Sequence, residues 1–148
     1  MDALLTVPTP RNEPVREYAP GHPQTESLKR RLAELAGAPI ELTSTVGGVQ
    51  RMAGGDRIEV VQPHKRAHVL GVMGESTHAD AEAAVAAARK AAPMWRELSF
   101  ADRAAVFLRA ADLLAGPWRD TVNGATMLGQ SKTAYQAEIG RASCRERV

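Results

Sequence analysis

Ser99–Glu138, SFADRAAVFLRAADLLAGPWRDTVNGATMLGQSKTAYQAE, decides the fold: it spells a helical hairpin, a short loop and the start of a new helix. Ser99 and Asp102 stand at capping-box spacing, where a hydroxyl accepts from first-turn amides and a carboxylate answers it. Val106, Ala110, Leu113 and Leu114 then recur at three and four residues, widened by Phe107 and Ala111, while Arg103, Arg109 and Asp112 fall largely outside. This is an amphipathic helix with one face to bury. Gly116-Pro117 stops it, and Pro117 suits the first turn of the next helix, where its missing N–H costs nothing. Trp118, Val122, Ala125 and Met127-Leu128 carry the second helix to Gly129, a candidate C-terminal cap.

Upstream, Thr77–Ala92 is a further helix. It opens on a second capping box, Thr77 with Asp80, and presents a small-residue face of Ala81, Val85, Ala88 and Ala92. Pro93 is expected to end it, with Trp95 plugging the junction before Ser99. From Thr77 to Glu138 the pattern is therefore three helices and the start of a fourth. Residues 40–75 switch to period two. Ile40, Leu42 and Val46 lead into Gly47-Gly48 and a short VQRM stretch, and Gly54-Gly55-Asp56 marks a tight turn. Ile58 and Val60 then face Val69 and Val72 across Pro63-His64-Lys65-Arg66. Two β-hairpins in one ribbon are expected, and a ribbon this short needs another surface beneath it. Thr25–Ala36 is a short helix with Leu28, Leu32 and Leu35 as its buried line, closed by Gly37 and Pro39. Residues 1–23 hold five of the nine prolines and read as an extended arm, ordered by docking on something else. The domain division that follows is 1–23 arm, 24–138 folded segment and 139–148 tail.

That tail, Ile139–Val148, IGRASCRERV, breaks the apolar periodicity and brings three arginines. It is the frame translation of ATC GGA AGA GCG TCG TGT AGG GAA AGA GTG, a string resembling a common sequencing adapter whose next codon is a stop. We expect a non-native tail of DNA origin, the natural reading frame continuing elsewhere. The adapter begins with AG, so a natural codon starting with G would be completed as a glutamate codon at position 138. The tail also holds the single cysteine, Cys144, which is therefore no candidate nucleophile. Removing its three arginines and one glutamate from 19 basic and 17 acidic residues leaves 16 of each, so the net charge of +2 vanishes with it. Such a balance gives no reason to expect nucleic acid or an anionic membrane as a partner. No stretch is long and apolar enough to span a bilayer, and MDALLTVPTPRNEPV lacks a signal peptide's basic and apolar regions, so a cytoplasmic protein is expected.

Three patterns imitate chemistry. Gly124-x-x-x-x-Gly129 before Lys132-Thr133 resembles a phosphate loop, but Gln130-Ser131 intervene and the segment leaves a helix rather than a strand. His64 and His68 stand four apart in a hairpin, where that spacing defines no shared helical face, and read as surface histidines rather than zinc ligands. Lys29-Arg30-Arg31 reads as the solvated face of a helix. No G-x-G-x-x-G occurs. No residue is assigned a catalytic, cofactor-binding or metal-binding role.

FLRAADLLAGPWRD followed by ATMLGQSKTAYQAE resembles the amino-terminal helical region of the aldehyde dehydrogenases. Gly47-Gly48 with Arg51, the Gln62-Pro63 pair and Val69-Leu70-Gly71 extend the likeness, which covers residues 40–138 well and the arm more loosely. The MLGQ-x-KT-x-x-QAE run is similar to the proline-catabolism branch, the L-glutamate γ-semialdehyde (1-pyrroline-5-carboxylate) dehydrogenases. Ser131 departs from the glycine expected before the lysine in many relatives. The resemblance implies an α/β parent with a Rossmann-type cofactor domain, of which this chain is a truncated amino-terminal quarter, itself α+β. It implies NAD as the parent's cofactor, and a cysteine thiolate that adds to the aldehyde before hydride leaves and a glutamate-activated water hydrolyses the thioester. Those groups lie later in such enzymes, so the chain itself is expected to be inactive. The implied partners are the small-molecule aldehyde, a second copy in a homo-oligomer and a proline dehydrogenase, fused or separate. Glu138 is the one implied substrate-binding residue, near the aldehyde access tunnel; the competing reading is a carboxylate on a helix surface. Two other functions stay open: a non-catalytic helical interaction module, and a piece of another aldehyde dehydrogenase such as one acting on succinate semialdehyde. The QSKTAYQAE run argues against the latter.

Overall fold

The computed structural model describes the backbone of residues 13–146 and side chains through residue 140. Five helices and five strands follow in the order α1 (Pro23–Gly37), β1 (Ile40–Leu42), β2 (Ser44–Val46), β3 (Val49–Arg51), β4 (Arg57–Gln62), β5 (Lys65–Gly74), α2 (His78–Glu97), α3 (Phe100–Ala115), α4 (Arg119–Gln130) and α5 (Ala134–Glu146). The α+β architecture expected for this segment is the one observed.

Both hairpins form. β2 and β3 pair antiparallel around Gly47-Gly48, whose φ values of 60° and 83° are the left-handed pair that a two-residue hairpin turn needs. β4 and β5 pair antiparallel across Pro63-His64, with register shifts around Val61. The expectation of a single ribbon is corrected in one respect. Ile40 and Leu42 do not extend the first hairpin but form β1, which runs parallel to β5 and completes a separate sheet of order β1-β5-β4. Gly71 permits this, since a Cβ there would stand 2.4 Å from the Ile40 carbonyl oxygen.

Helix boundaries follow the capping chemistry more closely than the prolines. Thr77 accepts from the Asp80 amide while the Asp80 carboxylate accepts from the Thr77 amide, so that capping box is complete. Ser99 accepts from the Asp102 amide, but Asp102 takes the Ser99 hydroxyl instead of closing the box on its amide. Pro93 does not end α2. It lies inside the helix on an exposed side, where water can solvate the carbonyl deprived of its N–H. Pro117 is likewise not in the first turn of α4; it occupies the turn before the Trp118 N-cap. Nor is Gly129 the cap of α4. The helix runs one residue on and closes at Ser131, at φ 55° and ψ 31°.

Among the helices, the most extensive packing joins α1 to α4. Leu28 is buried, Leu32 and Leu35 are half-buried, and Gly124 makes room for them: a Cβ there would lie 3.0 Å from Leu35 Cδ1. His68 Nε2 donates to the Ala36 carbonyl at 2.9 Å, tying β5 to the end of α1. The expected apolar faces fare differently. On α4 the buried residues are Arg119, Asn123 and Gly124, while Trp118 and Ala125 are exposed. Neither α2 nor α3 buries any residue; Val85, Val106, Phe107 and Leu108 all lie open. Trp95 meets Phe107 edge-to-face at 6.2 Å and links these two helices.

Candidate functional site

Glu138 lies in the second turn of α5, the new helix expected after the short loop, and what starts that helix is a cap the sequence reading does not include. Thr133 accepts from the Gln136 amide while Gln136 Oε1 accepts from the Thr133 amide, a capping box written T-A-Y-Q. This orients α5 so that Ala137 and Glu138 face inward, at 1% and 0% exposure. The competing reading of Glu138 as a helix-surface carboxylate is thereby corrected.

Four neighbours converge on that carboxylate. Arg119, on the first turn of α4 and itself 5% exposed, reaches it with both Nε and Nη2, in a forked ion pair. Asn123, one helical turn further along the same face, donates from Nδ2 to Glu138 Oε2 at 2.6 Å. Tyr18 of the amino-terminal arm donates its hydroxyl to Oε2 at 3.0 Å and accepts from Asn123 Nδ2 at 2.9 Å. The backbone amide of Arg16 points at Oε1 from 3.4 Å. Asn123 Oδ1 is buried without a donor among the described residues, yet the amide cannot be turned over, because its oxygen would then face the carboxylate.

A second tier holds the first. Arg119 Nη2 also donates to the Pro14 carbonyl at 2.7 Å, so one guanidinium spans arm and acid. Arg16 Nη1 pairs with Asp120 Oδ1 at 2.8 Å, and Ser27 of α1 donates to Asp120 Oδ2 at 2.6 Å. Arg31 Nε donates to Thr121 Oγ1 at 3.0 Å. Burial by itself pushes the Glu138 carboxyl up, but the bonds from Arg119, Asn123 and Tyr18 together with the guanidinium charge outweigh it and hold the group down at about 2. Tyr18 moves the other way, raised first by burial and then by the adjacent Glu138 charge. The arrangement therefore stores one buried carboxylate, ionised at neutral pH and fully screened from solvent.

Arg119, Asn123, Tyr18, Arg16 and Asp120 were not singled out by sequence. The legible signal was Arg119 and Asn123 at i, i+4, two polar residues in one row of an otherwise packable helix. The other sequence candidates lie apart from this cluster. His64 Nδ1 sits 2.8 Å from Ser131 Oγ, joining the β4–β5 turn to the end of α4, and His68 is engaged by Ala36. Among the described residues no three His, Cys, Asp or Glu side chains gather as a metal site, and no helix is long and apolar enough to cross a membrane.

Comparison with known proteins places this geometry. Residues 50–144 match the profile of the Aldehyde dehydrogenase family. A curated relative from Agaricus bisporus, named delta-1-pyrroline-5-carboxylate dehydrogenase, is 37% identical over 142 residues, 95% of this chain and 26% of its own length. A crystal structure of the delta-pyrroline-5-carboxylate dehydrogenase from Mycobacterium tuberculosis bound with NAD superposes with a TM-score of 0.90 at 52% identity, covering 99% of this chain and 30% of that one. Proline utilization A from Bdellovibrio bacteriovorus shares the fold at 22% identity and a TM-score of 0.85, covering 97% of this chain and 15% of its own. Some of the curated relatives are named as mitochondrial. The chain thus spans about a quarter of the length of the curated relatives it matches.

Proposed function

The chain belongs to the aldehyde dehydrogenase family, and from that premise we propose that the whole protein oxidises L-glutamate γ-semialdehyde to L-glutamate with NAD, the closing step of proline breakdown. The observation that carries this reading is 52% identity, over 99% of the chain, to an NAD-bound delta-pyrroline-5-carboxylate dehydrogenase. In that reaction the aldehyde carbon loses hydride to the nicotinamide and gains an oxygen from water, which the family accomplishes through a thioester.

The described residues do not fit the cofactor. A pyrophosphate cradle needs a glycine turn leaving a strand for a helix, with open space where a Cβ would stand. Here the close-approach glycines meet the chain's own backbone: Gly55 at Glu75, Gly71 at Ile40 and Gly74 at Ala53. We therefore assign NAD binding and the chemical step to the remainder of the protein and expect the 148-residue chain alone to form no NADH.

What this segment contributes is placement. The role of Glu138 beside the aldehyde is kept as part of the proposal. Its complete burial behind Tyr18 and Arg119 favours a residue that holds a wall of the substrate channel over one that touches the aldehyde directly. The convergence of Arg119, Asn123 and Tyr18 also favours glutamate as the natural residue at 138, since these partners would otherwise enclose a buried unpaired cation. A foreign tail from Ile139 onward, a homo-oligomer, a proline dehydrogenase as fused or separate partner and a cytoplasmic location complete the reading. The shared fold with proline utilization A supports only the architectural part of that link.

Sequencing the source locus past codon 138 and assaying its product tests the proposal. The expected result is a glutamate codon at 138, an open frame into a cysteine-bearing catalytic domain, and NADH formation faster with L-glutamate γ-semialdehyde than with succinate semialdehyde. A genomic stop after Val148, or an intact product that prefers the shorter aldehyde, overturns it.

A further inference from the structure

We infer that residues 13–19 are a hinged strap, latched over α4 and α5 by Glu138, rather than a fixed part of the core. The strap has no regular secondary structure, so its backbone is held by what its ends and side chains reach. Its ties to the body include separable polar bonds: the Tyr18 hydroxyl and the Arg16 amide on Glu138, the Pro14 carbonyl on Arg119, and the Arg16 guanidinium on Asp120, while at its far end the Ala19 carbonyl accepts from Thr25 Oγ1 at 2.7 Å. No large apolar side chain of the strap is buried; Val15 is 52% exposed.

Strain lies at the point where the strap would swing. Tyr18 is held at φ 53°, a left-handed conformation that a bulky L-residue adopts only when its surroundings impose it. Gly21, three residues on, is also left-handed at φ 77°, and the turn between them is bound to the start of α1 through the Ala19 carbonyl, so α1 anchors the strap at this end. An open groove, walled on one side by Val15 and Tyr18 of the strap and on the other by His22, Gln24 and Arg119, runs beside it. Releasing Tyr18 would relax its backbone, free Arg119 from Pro14 and open Glu138 to solvent in one motion. Strain on one side and a single buried carboxylate on the other make two arrangements of the segment close enough in free energy to exchange.

Trypsin cleavage after Arg16 in the full 148-residue chain reads the open population, because the bond must leave the body to enter the protease. Tyr18→Phe removes one hydroxyl and Glu138→Gln removes the charge. Each is expected to speed cleavage after Arg16 by about tenfold while helical circular dichroism stays at the wild-type level. Unchanged cleavage in a folded Tyr18→Phe variant overturns the inference. So does loss of helix in that variant, which would make the strap part of the cooperative core. If Glu138→Gln unfolds, Tyr18→Phe alone decides by the same two results.

Discussion

Arg119→Met is the most informative single substitution. Methionine keeps the length and apolar stem of the arginine and removes the cation, so the change is electrostatic. In the folded chain Glu138 is wholly buried, and the guanidinium supplies two of the bonds that compensate its desolvation. Removing one partner of such a pair costs about 3–5 kcal/mol, because the other charge stays behind unpaired. A chain of this length has roughly 5–15 kcal/mol in hand, and each kcal/mol moves Tm by about 2–4 °C, so a fall of roughly 6–20 °C is expected. Urea unfolding followed by circular dichroism gives the free energy directly. The decisive comparison is Arg119→Met with Glu138→Gln. Once the acid is neutral it no longer needs the cation, so the double variant is expected to be more stable than Arg119→Met alone, with a coupling of about 2 kcal/mol or more. A double variant whose loss equals the sum of the two single losses would refute the pair as the source of the effect.

Acid titration should show two groups. Glu138 and Asp80 are each held at about 2, from ordinary values of 4.5 and 3.8, the latter by the Gly54 and Thr77 amides and the Thr77 hydroxyl. Both pKa values are depressed on folding, so their stabilisation is present above the ordinary values and disappears as pH falls toward about 2. Glu138→Gln should flatten the Glu138 part of that slope in pH-dependent melts. At the alkaline end the raised Tyr18 pKa means stability is intact below pH 10.0 and declines above it, and Tyr18→Phe should remove that decline. Ser131→Gly relieves a left-handed serine worth about 1–2 kcal/mol, against about 0.5–1 kcal/mol of added chain entropy and about 0.5–1.5 kcal/mol for the lost bond to His64, so stability in urea should stay within about 1 kcal/mol. Val106→Lys with Leu108→Glu, both exposed on different sides of α3, should leave stability within about 0.5 kcal/mol and reduce binding of a hydrophobic dye. A large loss of stability would mean that one of these sides is packed.

Local chemistry was legible in the sequence and tertiary assignment was not. The Thr77–Asp80 and Ser99–Asp102 caps and the Gly47-Gly48 turn depend on neighbours within a few residues, and all appear. The misplacements share a cause. Pro93 reads as a stop because the solvent that satisfies its orphaned carbonyl cannot be seen in the letters. Ile40 and Leu42 read as part of the nearer hairpin because their true partner, β5, begins 23 residues after β1 ends. Periodicity on α3 identified an apolar face correctly as a pattern, yet that pattern is silent on what covers it. The site was half legible. QAE singles out Glu138 through resemblance, but the arginine and asparagine around it come from another helix and the tyrosine from an arm 120 residues away.

The sequence separation of the Tyr18–Glu138 bond also sets a clock. The two residues lie 120 apart in the chain. At the usual 5–20 residues per second of protein synthesis, the ribosome needs roughly 6–24 s after making Tyr18 to add its partner, before the length of the exit tunnel is counted. Through that interval Arg16 and Tyr18 have emerged with no carboxylate to receive them, while α1 and the β4–β5 hairpin are already free to form. The arm is thus made before the helices that hold it and is among the last segments to be seated, and for those seconds a nascent-chain chaperone would meet it unfastened.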